Sequence, residues 1–170
     1  MAEALDPILT PQLEALTRRV LEDACERQLK LGTAESCTGG LVASLLTDVP
    51  GCSHAFERGF VVYSDEAKHD LLGIPLEMLE DGGAVSQPVV LAMANGALAR
   101  SRADIVLAVT GWAEDMGDPE KPGGLVHFAC ARRDRVTHHR KAEFGIIGRQ
   151  AFRLACLQVA MEMIAVAVLL

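Results

Sequence analysis

Three nucleophilic side chains are crowded against a pair of glycines in the segment TAESCTGG, residues 33–40. Ser36, Cys37 and Thr38 each carry a hydroxyl or thiol that can attack an acyl carbon once a base removes its proton. Glycine lets a ligand approach the backbone closely, because it has no side chain. The segment is therefore a candidate for acyl-transfer chemistry, or for a simple turn in which Ser36 or Thr38 caps the next helix.

The surrounding residues place this segment at a turn from a strand to a helix. An apolar stretch over residues 31–34 predicts a strand, and residues 40–51, GLVASLLTDVPG, predict a helix closed by the final proline and glycine. Backbone N–H groups at a helix start lack intrahelical partners and carry the positive end of the helix dipole. We therefore expect the amides around Thr38, Gly39 and Gly40 to hold an anion, either a phosphate or a developing oxyanion.

The common phosphate and hydrolase motifs do not describe this segment. No lysine follows the glycines as in a Walker A loop, and the segment has neither GxGxxG nor GxSxG spacing. Cys37 is a rival nucleophile to Ser36, because a helix N-terminus stabilises a thiolate, which attacks acyl carbons well. Two interpretations of Glu35 stay open: it orients a lysine or the ribose hydroxyls of a ligand, or it only interacts with the helix dipole.

Helical and strand patterns alternate along the rest of the chain. Apolar spacing over residues 10–30, with Thr10 as N-cap and Pro11 at the first helical position, predicts an amphipathic helix. The segment AFERGFVVYS predicts a strand, DEAKHDLLG a short helix, and ADIVLAVTG a strand buried on both faces. We predict an α/β fold, a three-layer α/β/α sandwich around a mixed, mostly parallel sheet, with residues 1–170 as one domain.

Composition excludes several classes of partner. The formal net charge is −7 and the sequence pI is about 5.2, which disfavours nucleic acid and anionic membranes as partners. The five cysteines and five histidines show neither metal-ligand spacing nor a disulfide framework. The first residues do not form a signal peptide, and the uncharged run 163–170 is far shorter than the roughly 20 residues of a membrane span. We expect a cytoplasmic protein.

Four blocks of sequence, in order along the chain, carry a family resemblance. They are AESCTGGLVASLLTDVPGCSHAFERGFVVYSDEAKHDLLGI, GAVS, ADIVLAVTG and PEKPGGLVHFA. From about Leu13 to the C-terminus the chain resembles the CinA C-terminal domain, the nicotinamide-nucleotide amidohydrolase family, in its standalone form. The resemblance implies conversion of nicotinamide mononucleotide, a pyridine nucleotide, to nicotinic acid mononucleotide and ammonia, without a metal or other cofactor. It also implies a homo-oligomer, and the apolar C-terminal residues AVAVLL suit burial against another subunit or in the chain's own core.

The resemblance assigns catalytic roles to a serine and a lysine. Ser36 in ESCTGG matches the nucleophile and Lys68 in YSDEAK matches its base. A lysine acts as a base only where desolvation or nearby cations favour its neutral amine, so Lys68 must point away from bulk water. Without the resemblance, Lys68 would be interpreted as a solvated lysine paired with Asp65 or Glu66. Tyr63 would hold the amine or relay a proton, or would close the core at the end of a strand.

Further residues are expected to bind the substrate. Thr110 and Gly111, at the end of the buried strand, match the ligand-contacting TG of the family, and open α/β sheets place ligands at strand ends. Arg149 and Arg153 supply positive charge at the start of the predicted final helix. They are candidates for the phosphate, because a guanidinium pairs with it bidentately, or they are simply surface arginines.

Two segments depart from the family pattern. After TG the chain reads WAEDMGD where the family has IAGPGGG, so Glu114 and Asp115 would repel a phosphate if they faced it. Before the final helix, FGIIGRQAFR lacks the aspartate of the family's GDR. Two alternatives to the amidohydrolase therefore remain: a binding module for a nucleotide or small anion that does not hydrolyse it, and an amidase with a small uncharged substrate.

Overall fold

The first helix begins where its capping residues predict. The structure, a computed structural model, describes residues 9–80, 83–115 and 117–170. Helix α1 spans Pro11–Glu26, and the Thr10 hydroxyl accepts a hydrogen bond from the N–H of Leu13 at 3.2 Å. Its apolar face is buried, so both the cap and the spacing of this helix are confirmed.

The strands form one mixed sheet within the described residues. The sheet has the order β2-β1-β3-β4-β5. The strands are β1 (Leu31–Glu35), β2 (Phe56–Val61), β3 (Ile105–Gly111), β4 (Leu125–Arg132) and β5 (His138–Glu143). Strand β1 is parallel to both β2 and β3, whereas β4 is antiparallel to both of its neighbours. The predicted mixed sheet is confirmed, and β4 is the strand that runs against the others.

Helices cover both faces of this sheet. They are α2 (Leu41–Leu45), α3 (Asp65–Leu72), α4 (Leu76–Leu79), α5 (Gln87–Ala99) and α6 (Arg149–Leu169), with a 3₁₀ turn at Ser53–Ala55. One hydrophobic cluster joins α1, α2 and α6 to one face, and a second joins α3, α4 and α5 to the other. Strand β1 is buried along its whole length because both of its faces are covered. The predicted three-layer architecture is confirmed, while the assignment of residues 1–170 to one domain stays a prediction.

Helix α2 is much shorter than predicted. The sequence pattern predicts a helix over residues 40–51, but α2 ends at Leu45 and the chain continues in turns. Proline disfavours a helical conformation in the residue before it, so Pro50 acts on Val49. The Thr47 hydroxyl also donates to the carbonyl of Ser44 at 2.7 Å, a local bond that competes with the helical ladder.

Helix α6 is long and apolar enough to cross a membrane, by length and composition alone. Half of its most apolar stretch is buried inside the protein, and the helix packs against α1 and the sheet. Near its end Ala167 and Val168 are buried, whereas Leu169 and Leu170 are about half exposed. The C-terminal residues therefore contribute one side to the core and leave the other exposed.

The contact between α3 and α5 depends on Gly96. A Cβ atom at Gly96 would lie 2.3 Å from the carbonyl oxygen of Leu72. We expect Gly96→Ala to lower the free energy of unfolding by about 1–3 kcal/mol, because the backbone of α3 must move away. Urea unfolding followed by circular dichroism measures this. A stabilised variant would contradict the packing, since alanine in a helix is otherwise favoured over glycine by about 1 kcal/mol.

Candidate active site

A cavity of about 420 Å³ lies at the edge of the sheet where β1 and β3 end. Parallel neighbouring strands end at the same edge, so residues that follow them meet there. Of the predicted site residues, the cavity is lined by Ser36, Cys37, Tyr63, Lys68, Thr110, Gly111 and Arg149. Strand ends, a helix start and a loop therefore bring together most of the residues that the sequence singled out.

Ser36 is held directly after β1. Its N–H donates to the carbonyl of Val109 on β3 at 3.1 Å, which extends the pairing of these strands by one residue. Only 8% of the residue is exposed, and it lines the cavity. A buried hydroxyl at a fixed strand end is positioned for attack on a ligand that enters this cavity.

Lys68 points inward from the short helix α3. The helix begins after Ser64, whose hydroxyl accepts from the N–H of Ala67 at 3.1 Å. Lys68 is 2% exposed, and its Nζ donates to Asp65 Oδ1 at 3.0 Å and to the carbonyl of Tyr63 at 3.4 Å. The amine lies away from bulk water, as its expected role as a base requires, and it also has the predicted partner Asp65.

The Glu35 side chain accepts hydrogen bonds from the backbone at the N-terminus of α2. Its carboxylate is fully buried and accepts hydrogen bonds from the Thr38 hydroxyl at 2.7 Å and from the N–H of Gly40 at 3.1 Å. The N–H groups of Val42 and Ala43 donate to it at 3.0 and 2.8 Å. Of the two interpretations of Glu35, this geometry favours the interaction with the helix start. Neither Ser36 nor Thr38 caps α2 by itself.

The prediction that the amides around Thr38, Gly39 and Gly40 hold an oxyanion needs correction, because the amides of both glycines already have acceptors within the chain. The N–H of Gly40 is taken by the Glu35 carboxylate, and that of Gly39 donates to the carbonyl of Ser36 at 3.1 Å. The amides of Cys37 and Thr38 have no acceptor in the part of the chain that the structure describes. These two amides, rather than those of the glycines, are the remaining candidate donors for an oxyanion, and of the two residues it is Cys37 that lines the cavity.

The structure makes Cys37 a less suitable nucleophile than its position at a helix N-terminus indicates. Its side chain joins the hydrophobic cluster that contains Phe152 and Cys156 of α6. Burial, followed by the hydrogen bond with Cys37, raises the pKa of the Cys156 thiol. The Cys37 sulfur therefore interacts with a buried thiol on the core side of the loop, although the residue also contributes to the cavity wall.

Tyr63 does not close the core. Strand β2 ends at Val61, and the tyrosine is 69% exposed at the rim of the cavity. Its carbonyl accepts from Lys68, whereas its side chain interacts with Arg149. The side chain of Tyr63 therefore interacts with Arg149, and both residues line the cavity.

Thr110 and Gly111 shape the far wall of the cavity. The buried Thr110 hydroxyl donates to the carbonyl of Ala84 at 2.9 Å and so fixes the segment before α5. A Cβ atom at Gly111 would lie 2.8 Å from the carbonyl oxygen of Leu125, so only glycine permits this approach of β3 to β4. Both residues line the cavity, and both also have a structural function.

The two arginines at the start of α6 differ in their surroundings. Arg149 lines the cavity and forms an ion pair with Glu114, and the hydrogen bond to Glu114 is the largest cause of a raised pKa of Arg149. Arg153 lies one turn further, with Nη2 3.9 Å from the position of a Cβ at Gly39. Its buried Nε has no hydrogen-bond partner among the described residues. Arg153 therefore keeps unused donors near the Ser36 loop.

Comparison with known proteins identifies the family. The sequence profile of the CinA C-terminal domain matches residues 13–168. The chain belongs to the CinA C-terminal domain family. A crystal structure of the competence/damage inducible protein CihA from Agrobacterium tumefaciens is 44% identical to it in sequence, with a TM-score of 0.91 over 97% of this chain and 100% of that chain.

Curated relatives carry two kinds of CinA-family name. Nicotinamide-nucleotide amidohydrolase PncC of Escherichia coli K12 is 49% identical over 129 residues, which are 74% of this chain and 78% of PncC. A CinA-like protein of Akkermansia muciniphila is 51% identical over 131 residues, which are 76% of this chain. The match spans only 32% of the length of the Akkermansia muciniphila protein, and only 29% of that of a putative competence-damage inducible protein of Symbiobacterium thermophilum, so the chain corresponds to one part of those two proteins.

The loop after β3, where this chain departs from the CinA pattern, contributes one acid to the cavity and not the other. Glu114 lines the cavity beside Trp112. Asp115 accepts a hydrogen bond from the N–H of Gly117 at 2.8 Å and is not part of the cavity wall. The expected repulsion of a phosphate therefore applies to Glu114, whose charge Arg149 partly neutralises.

Sequence reasoning missed several residues of this CinA-family site. The sequence alone predicts Asp65 only as a partner of a solvated lysine, yet it lines the cavity together with Lys68. Ala84 and Val85 form part of the wall because the Thr110 hydroxyl binds the Ala84 carbonyl. The GAVS block was the signal that could have found them, since it matches the family at that position.

Proposed function

We propose that this CinA-family protein is a nicotinamide-nucleotide amidohydrolase, which hydrolyses nicotinamide mononucleotide to nicotinic acid mononucleotide and ammonia. The observation that carries the proposal is that Ser36 and the buried Lys68 line the same cavity. A relative at 49% identity, PncC of Escherichia coli, bears the name of this activity and supports it.

In the proposed mechanism the Ser36 hydroxyl attacks the carboxamide carbon while the Lys68 amine takes its proton. The carbonyl oxygen becomes an oxyanion, which accepts hydrogen bonds from the free amides of Cys37 and Thr38. The C–N bond then breaks, and Lys68 returns the proton to the leaving amide nitrogen, which departs as ammonia. Asp65, 3.0 Å from Nζ, stabilises the ammonium that exists between these two transfers.

The second half of the reaction releases the acid. A water molecule gives a proton to Lys68 and attacks the ester carbon that joins the substrate to Ser36. The C–O bond to Ser36 breaks, and the serine oxygen takes the proton back from Lys68. Nicotinic acid mononucleotide forms as the carboxylic acid, which retains the second proton of the water and loses it to solvent to give the carboxylate. In this scheme Arg149 and Arg153 hold the phosphate, and Tyr63 positions Arg149 through their contact.

A second candidate function is a binding module that retains the cavity without hydrolysis. Glu114 favours it, because a carboxylate at Arg149 occupies the position proposed for the phosphate. The test is ammonia release from nicotinamide mononucleotide by purified protein, with nicotinic acid mononucleotide identified by chromatography. Binding of the nucleotide without either product would support the binding module and contradict the amidohydrolase.

We also propose that the protein is cytoplasmic, has neither nucleic-acid nor membrane partners, and forms a homo-oligomer. The support for an oligomer is the exposed apolar surface at the end of α6, where Val166 is 58% and Leu170 is 52% exposed. We expect light scattering of the purified protein to give a multiple of 18.2 kDa, and Val166→Lys to shift the mass toward the monomer. A monomeric mass for the wild-type protein would contradict the proposal.

A further inference from the structure

Glu114 and Arg149 meet across the mouth of the cavity, from two different elements. Arg149 is the first residue of α6, and Glu114 lies in the loop that follows β3. Their side chains form an ion pair and hydrogen bond, and both residues line the cavity. Tyr63, at the rim, is the other group that interacts with the Arg149 guanidinium. Arg149, the arginine that lines the cavity, thus has an anionic partner within the chain.

We propose that Glu114 is a specificity-determining residue, which competes with the substrate's phosphate for Arg149. The inference rests on the proposed function, in which Arg149 is one of two arginines that hold the phosphate. It adds that the loop after β3 sets how strongly the protein prefers a phosphorylated amide over the same amide without its phosphate.

The competition follows from the chemistry of the three groups. A carboxylate and a phosphate both offer two oxygens to a guanidinium, so they bind Arg149 in the same way. A phosphate must displace Glu114 and then lie close to its negative charge, which opposes binding. The Arg149 and Glu114 side chains are 39% and 61% exposed, so water can replace each in turn and the exchange is feasible.

An unphosphorylated ligand does not compete with Glu114 for Arg149. Nicotinamide riboside, the same molecule without the phosphate, leaves the ion pair intact and offers hydroxyl groups that can donate to Glu114. The buried Nε of Arg153 has no hydrogen-bond partner among the described residues, and in the proposed function this arginine also holds the phosphate. Glu114 therefore reduces the difference in affinity between the nucleotide and the nucleoside without removing it.

The test compares two variants that remove one negative charge each from neighbouring positions. Glu114→Gln removes the partner of Arg149, and Asp115→Asn is the matched control, because Asp115 binds the N–H of Gly117 outside the cavity. Both are made in a Ser36→Ala background, so that the ligands are not consumed. Calorimetry then gives the Kd of nicotinamide mononucleotide and of nicotinamide riboside for each protein.

We expect Glu114→Gln to bind the nucleotide about tenfold more tightly, while its affinity for the riboside stays within about twofold of the parent. Asp115→Asn is expected to leave both affinities within about twofold. An unchanged Kd for the nucleotide in Glu114→Gln, or an equal gain in both variants, would overturn the inference. Equal gains would show that net charge, rather than competition at Arg149, controls binding.

Ammonia release by the wild-type protein distinguishes failure of the inference about Glu114 from failure of the proposed amidohydrolase function. Release from the nucleotide, with no effect of Glu114→Gln on its Kd, overturns the role of Glu114 and leaves the amidohydrolase standing. Failure of both ligands to bind any of the proteins, with no ammonia release, overturns the proposed function together with the inference. Urea unfolding of each variant confirms that the exposed substitutions leave the fold intact.

Discussion

Replacing Ser36 by alanine lowers kcat/KM for ammonia release from nicotinamide mononucleotide by about 10³- to 10⁴-fold, and Lys68→Met has a loss of the same order. Ser36→Ala removes the oxygen that forms the bond to the substrate. Lys68→Met keeps most of the buried volume and removes the amine that moves the proton. Because the two groups act in one step, the double variant is expected to be no slower than either single variant by more than a small factor.

Two other variants control for this result. Cys37→Ala is expected to retain at least about a tenth of the wild-type rate, because the thiol packs against Cys156 on the core side. Asp65→Asn is expected to lose about tenfold, since it weakens the stabilisation of the Lys68 ammonium and leaves the amine in place. Loss of activity in Cys37→Ala with activity retained in Ser36→Ala would assign the nucleophile to the thiol. Unfolding midpoints near the wild-type value exclude misfolding.

Replacing Glu35 by alanine is expected to lower the free energy of unfolding by about 3–5 kcal/mol. The variant removes a fully buried carboxylate that accepts from the Thr38 hydroxyl and from the backbone of Gly40, Val42 and Ala43. The bonds of Gly40 and Ala43 are only partly buried, so water recovers some of the loss there, whereas the N–H of Val42 is buried. For a chain of this length the melting temperature falls by roughly 10 °C.

Graded controls connect this loss to the hydrogen bonds. Thr38→Val removes one of the four bonds to Glu35 and is expected to cost about 1 kcal/mol. Glu22→Ala, on the exposed face of α1, is expected to change stability by less than about 0.5 kcal/mol. Guanidinium unfolding followed by fluorescence of Trp112 and by circular dichroism measures all three. A wild-type midpoint for Glu35→Ala would contradict the role given to the carboxylate.

The fold and the position of the reactive groups could be predicted where the signals are local. Thr10 and Pro11 fix the start of α1, and Ser64 and Gly73 bound α3. The family resemblance, which covers contiguous blocks, indicates Ser36 and Lys68. Ser36 directly follows β1 and Lys68 lies on the helix after β2, so both reach one cavity. These features depend on neighbours in sequence, or on the general rule that parallel strands end at one edge.

Contacts between distant segments could not be predicted in the same way. The pairing of Glu114 with Arg149 joins residues 35 positions apart, and no periodicity indicates which of two adjacent acids turns inward. The path of the loop after Glu35 is another example, since the sequence allowed that acid either a ligand or the helix start. Side-chain direction in loops is decided by the whole fold, because each hydrogen bond competes with solvent and with other partners.

The internal carboxylate at the start of α2 has a consequence for the energetics of ligand binding. Glu35 supplies the anion that a helix start attracts, so hydrogen bonds from within the chain hold the loop that carries Ser36. We expect the amides of Val42 and Ala43 to be protected from hydrogen exchange in the protein without substrate. Substrate affinity is then not diminished by the entropy of ordering this loop, and the nucleophile is preorganised by the fold itself.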